Sequence, residues 1–192
     1  MNIPITVSRA ANLARAKNIK HILANIKEEF PGFKIIKKRD SILMRVLNVF
    51  LRVITLNLQQ KFLTSYITTI NTTIYVGDDW ELMGDISKII VLRHERVHMR
   101  QAKQYGMFLF AFLYLIPFFP LFFAHWRKKF EMEAYEETML ASVELRGKNS
   151  IKTNEYKDFI IRQFTTAAYG WMWVIKSQVE RWYNKTVERL TG

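Results

Sequence analysis

A chain of 192 residues is long enough for one domain with a real core, or one domain plus an appendage. With 49% hydrophobic residues and 14 phenylalanines it is excluded from the disordered class, and with no cysteine it can build neither a disulfide framework nor a thiolate metal site. The net charge of +12 suits an anionic partner: lipid headgroups, nucleic acid or an acidic protein. A membrane surface fits better than nucleic acid, because the aromatics lie in apolar runs rather than among the basic residues.

The charge is uneven: residues 1–60 hold eleven Lys or Arg against three acids, a net +8. Met1 to Ala24 reads as a basic amphipathic helix with no long apolar core, so no secretory signal is expected. The expected location is cytoplasmic, either free or peripheral to a membrane. Ser8 is placed to cap a helix running to about Phe30, where Pro31-Gly32 ends it, and Phe33 to Lys38 reads as a short strand. Asp40 or Ser41 then opens a helix to about Leu56 with a narrow polar stripe of Arg45, Asn48, Arg52 and Thr55. Such a stripe means burial on most sides, or a helix lying on lipid. Phe62 to Val76 is rich in Thr, Ile and Tyr and reads as one or two strands around Asn71.

Asp78-Asp79-Trp80-Glu81 has the spacing of a capping box and predicts a helix from about Leu82 to Gln104. On it stands His94-Glu95-Arg96-Val97-His98, an H-E-x-x-H. Histidines four apart share one helical face, where both imidazoles can bind one zinc, and the glutamate between them can reach a water at the metal's open position. Zinc brings that water's pKa to roughly 7, and a nearby carboxylate can take its proton during attack on a carbonyl. Arg93, Arg96, Arg100 and Lys103 form a stripe nearly opposite His94, His98 and Gln101, so the ligand face is expected to look inward. The same five residues also fit a plain solvated helix.

Met107 to Ala124 carries no charge, and Pro117 and Pro120 break it near its centre. By length it is a marginal transmembrane candidate, but the prolines make it read as an apolar helical hairpin, either dipping into one leaflet with Trp126 to Lys129 at the headgroup boundary, or packed in the core or a protein interface. A helical, acid-rich stretch follows, with Glu131, Glu133, Ala134, Tyr135, Glu136 and Glu137. A solvated face balancing the adjacent basic residues is one reading of it. Gln101 and Gln104 exclude the metzincin pattern, which needs Gly and His there. The H-E-x-x-H-x-x-Q of His94 to Gln101, followed by Glu-x-Glu-Ala, resembles the gluzincin class of zinc metallopeptidases, and in particular its small and membrane-associated members. The resemblance covers roughly residues 60 to 140. It implies His94, His98 and Glu131 as zinc ligands, Glu95 as general base, and peptide or protein as substrate. His125 is the alternative third ligand. Tyr135 stands where that class usually has Asp, and Gln101, Tyr135 and Tyr169 are the candidates for supporting the ligands or the transition state. The class also binds extended substrate along a strand before the active-site helix, a role that would fall to Thr72, Thr73, Ile74 and Tyr75; a structural hairpin is the alternative.

Helices are expected from about Asn154 to Thr166 and Trp171 to Leu190, with Tyr169, Trp171 and Trp173 either lining a cleft or packing. The whole reads as a mainly helical α+β domain over residues 1–192. Residues 1–60 form its basic helical region, 61–145 a core with a zincin-like helix, a small β element and the apolar hairpin, and 146–192 its C-terminal helices. The competing function classes are a non-catalytic basic protein of membrane surfaces and a nucleic-acid-binding protein, with a coincidental or inactive H-E-x-x-H.

Overall fold

Asn18 sets where the first described helix begins. In extended conformation, its side chain accepts a hydrogen bond from the Lys20 N–H at 3.0 Å, satisfying one of the donors a helix start leaves open. Helix α1, Ile19–Glu29, follows and closes with the Phe30 N–H on the Ile26 carbonyl, just before Pro31-Gly32. Of the helix read from Ser8 to about Phe30, Ile19–Glu29 is helical among the described residues. Ser8 itself lies outside the residues described by this computed structural model, which are 18–54, 62–115, 125–166 and 174–192.

Among the described residues the fold is α+β and mainly helical, with seven α-helices and one three-stranded sheet. The chain forms two compact units, dividing between Ile89 and Ile90.

In residues 18–89, strands β1 (Lys34–Lys37), β2 (Thr68–Ile70) and β3 (Thr73–Val76) lie in the order β1-β3-β2. β3 pairs in parallel with β1, Ile35 opposite Ile74, and antiparallel with β2, Thr69 opposite Ile74. Asn71, at φ 56°, turns the β2–β3 hairpin in the left-handed region that Asn tolerates better than most residues. This topology corrects the edge-strand expectation for Thr73, Ile74 and Tyr75: both sides of β3 are hydrogen-bonded, so it has no free edge for a substrate backbone. Thr72 lies in the hairpin turn and spends its hydroxyl on the Gly32 carbonyl. Ile26, Phe30, Met44, Phe62, Ile74, Val76 and Trp80 are buried in this unit, with helix α2 (Ile42–Ile54) contributing Met44. The fully buried Lys38 points its ammonium at the Phe62 carbonyl (3.0 Å) and over the Phe62 ring (3.6 Å to its centre).

The expected capping box does not form. Asp78 takes Arg39 as partner, accepting from its Nε at 2.8 and 2.9 Å, and Asp78–Leu82 winds into a 3₁₀ turn. Helix α3 accordingly starts later than its spacing predicts, at Asp85, and runs to Tyr105.

Gly106, at φ 78°, ends α3 and lets α4 (Met107–Leu115) begin at once. Helix α5 (His125–Arg146) ends at Gly147, φ 96°. A 3₁₀ turn, Lys148–Ile151, leads to α6 (Asn154–Thr165), whose cap Thr153 accepts from the Tyr156 N–H. Helix α7, Lys176–Thr191, starts after the Trp171 expected for it. Tyr135 and Met139 of α5, Ile160, Ile161 and Phe164 of α6, and Val179 and Tyr183 of α7 form one core with Ile151. Tyr183 donates its hydroxyl to the Ile151 carbonyl; burial pushes its pKa up to about 12.

No helix among the described residues is long and apolar enough to cross a membrane. The first leg of the expected apolar hairpin is α4; Pro117, Pro120 and the second leg lie outside the described residues, as do Tyr169, Trp171 and Trp173.

Candidate metal centre

Helix α3 presents His94 and His98 one turn apart, and α5 brings Glu131 to them. All three are buried, Glu131 at 0% exposure, and together they form a group that can hold a metal ion. The two Nε2 atoms are 3.2 Å apart; Glu131 Oε2 lies 3.7 Å from that of His94, and Oε1 lies 3.5 Å from that of His98.

The hydrogen bonds around the rings fix their tautomers. Thr138 gives its hydroxyl proton to the Ala134 carbonyl (3.1 Å), so its oxygen can only accept from His94 Nδ1, 3.0 Å away. Gln101 commits its NH₂ to the Phe130 carbonyl (3.1 Å) and to Glu133 (2.8 Å), which turns Oε1 toward His98 Nδ1 at 2.9 Å. Each Nδ1 therefore carries the proton and each Nε2 a lone pair. Two lone pairs facing one another at 3.2 Å make no hydrogen bond. Beside them, Glu131 Oε2 is buried without a hydrogen-bond partner. Three acceptors without a donor are what a cation would satisfy. Burial, and then the neighbouring His98, holds His94 well below the usual histidine range, while a hydrogen bond to the Ala134 carbonyl opposes the shift. His94 is thus kept neutral, the state a metal ligand needs.

The other oxygen of Glu131 is held by α4. Tyr114 donates its hydroxyl to Oε1 at 2.5 Å, and Arg127 Nε donates to the Tyr114 carbonyl at 2.7 Å with its guanidinium 5.0 Å from the Tyr114 ring. Phe110 and Tyr114 pack beside His98, so one face of α4 belongs to the site while Phe108 and Phe112 are exposed.

The structure thus brings together His94, His98 and Glu131, with Gln101 supporting His98. Glu95 is buried on α3, about 100° around the helix from His94 and about 60° from His98. Tyr135 packs edge-on against His94, ring centres 4.7 Å apart, and Thr138 adds a hydrogen bond to the same imidazole. His125, the alternative ligand, is exposed against Trp126 and is not in the group. Tyr169 lies outside the described residues.

Glu133 carries Gln101 rather than a metal. Within the acid-rich stretch Glu137 pairs with Arg93, which also takes Glu144 further along α5, and Glu136 pairs with Arg189, while Glu131 acts on the neighbouring Arg127.

Sequence reasoning missed Tyr114, Arg127 and Thr138. Tyr114 had a signal, as the only residue from Met107 to Ala124 with a hydrogen-bonding side chain. Thr138 had one too, seven residues past Glu131 and so on the same face of α5. Searches with this chain of protein-family models, curated proteins and solved structures found no match.

Proposed function

We propose that this chain is a zinc-dependent metallopeptidase of the gluzincin kind. The observation that carries the reading is the convergence of two imidazole lone pairs and an unpartnered carboxylate oxygen in a buried site. Tetrahedral coordination at about 2.0–2.2 Å sets donor atoms roughly 3.2–3.6 Å apart. The two Nε2 atoms, 3.2 Å apart, fall in that range, and Glu131 Oε2, 3.7 Å from that of His94, lies a tenth of an ångström beyond it. Two imidazoles and one carboxylate without a thiolate are the donor set of a catalytic zinc, with a fourth position left open.

Zinc, when bound, supplies Lewis acidity that polarises a carbonyl and makes water acidic near neutral pH. The chain's own residues do the rest. Thr138 and Gln101 orient the imidazoles, and Tyr114 holds Glu131 through Oε1, leaving Oε2 without a hydrogen-bond partner beside His94. Glu95 takes a proton from the attacking water and returns it to the amine nitrogen that leaves. The substrate is a peptide or an unfolded protein segment.

Elemental analysis of purified protein tests the site. We expect about one zinc per chain, lost with His94→Ala and weakened with Glu131→Gln. Glu95→Gln should keep its zinc and lower peptide hydrolysis by roughly 10²–10⁴-fold. A parent protein that takes up no zinc even when resupplied would overturn the reading and leave a non-catalytic basic protein as the account.

A further inference from the structure

Helix α2 is turned the wrong way round for a helix partnered only by its own fold. Among its described side chains Met44 and Asn48 are the buried ones, and the Asn48 Oδ1 is buried with no hydrogen-bond partner. Ile42, Leu43, Val46, Val49, Phe50 and Val53 are instead 49–71% exposed. At 100° per residue these six share an arc of about 120°, a continuous apolar face of a little over three turns. Isolated exposed apolar residues need no explanation, but a contiguous face of this kind marks a binding surface.

Charge decides what it binds. Arg45 and Arg52, both exposed, lie together about 50° beyond one edge of the apolar arc. From Ser41 to Gly77 the sequence has no acidic residue. A second copy is a poor occupant, because two-fold pairing would bring the arginines of both copies together with no carboxylate on the face to meet them. An apolar face flanked only by cations, on a chain of net charge +12, matches the boundary of an anionic bilayer, where side chains such as Phe50 enter the acyl region and guanidiniums stay among the headgroups.

We propose that the exposed apolar face of α2 docks the protein in the plane of an anionic lipid surface. The docking is independent of the metal centre, so chelation leaves it unchanged.

Sedimentation with extruded vesicles tests it, comparing pure phosphatidylcholine with a mixture containing phosphatidylglycerol, using the full chain. Binding to the anionic vesicles should exceed binding to the neutral ones by about tenfold or more and weaken as salt rises. Val46→Asp with Phe50→Asp, both at exposed positions, should reduce it by at least about tenfold while circular dichroism stays unchanged. Arg45→Glu with Arg52→Glu should remove the preference for anionic lipid and keep the residual neutral binding. Because the chain has no cysteine, a spin label on Val49→Cys can report depth, and it should become accessible to oxygen and shielded from polar relaxants on binding. Failure of the parent to bind, or binding untouched by Val46→Asp with Phe50→Asp, would overturn the proposal. So would a concentration-dependent dimer abolished by that pair without vesicle binding, which would assign the face to a second copy.

Discussion

Thr138 has one proton to give, and the Ala134 carbonyl takes it; that single commitment makes its oxygen an acceptor for His94 Nδ1. Thr138→Val keeps the shape and removes the acceptor. We expect it to weaken metal binding by roughly 10–100-fold with little change in melting temperature, read by competition against a chromophoric chelator. An affinity within about twofold of the parent would show that the Ala134 carbonyl alone suffices to hold the ring. The lowered pKa of His94 has a sign that can be checked in metal-free protein. Between the folded value and the ordinary value near 6.5, the unfolded chain binds more protons than the folded one, so stability rises with pH there. Its contribution is whole above about pH 6.5 and is lost as pH falls through that value toward the folded one. Urea midpoints in chelator from pH 8 to pH 5 should fall accordingly and fall less in His94→Ala; equal slopes would rule out His94 as the cause. At this scale the sequence revealed what a local pattern can encode. His94 and His98 are four apart on one helix, and Glu131 followed from a resemblance to a motif. Tyr114 reaches Glu131 from another helix, and no spacing on either announces that meeting.

Elements were legible where periodicity or turn chemistry set them, and less so where a distant partner intervened. The α1 end at Pro31-Gly32, the turn at Asn71 and the body of α3 follow the sequence pattern. The start of α3 does not, because Arg39, far away in the chain, takes the Asp78 side chain that the capping box needed. Nor could local sequence place β3 between two neighbours, since strand order depends on how β1 returns to it. Gly77 shows the same dependence. A methyl group there would lie 2.1 Å from the Thr64 carbonyl oxygen, and that oxygen also accepts from the Asp79 N–H. Gly77→Ala should therefore destabilise the protein by about 1–3 kcal/mol, seen as a lower denaturant midpoint. An unchanged midpoint would mean that the Thr64 backbone yields freely.

Across the whole chain, the mainly helical α+β class was readable from composition and periodicity, but the direction of the apolar faces was not. A narrow polar stripe on α2 tells that the helix has two sides; it does not tell which side looks outward, and here Asn48 is buried while Phe50 is exposed. The partners of the acidic stretch were hidden for the same reason, as Arg93 and Arg189 come from α3 and α7. Tyr114 ties these scales together. Its hydroxyl holds Glu131 while the helix that carries it leaves Phe108 and Phe112 uncovered. An ion gripping Glu131 would restrain α4 through that phenol, and by thermodynamic reciprocity anything that seizes the outer face of α4 would change the grip on the ion by the same free energy. Filling the site and covering that helix are two handles on one equilibrium.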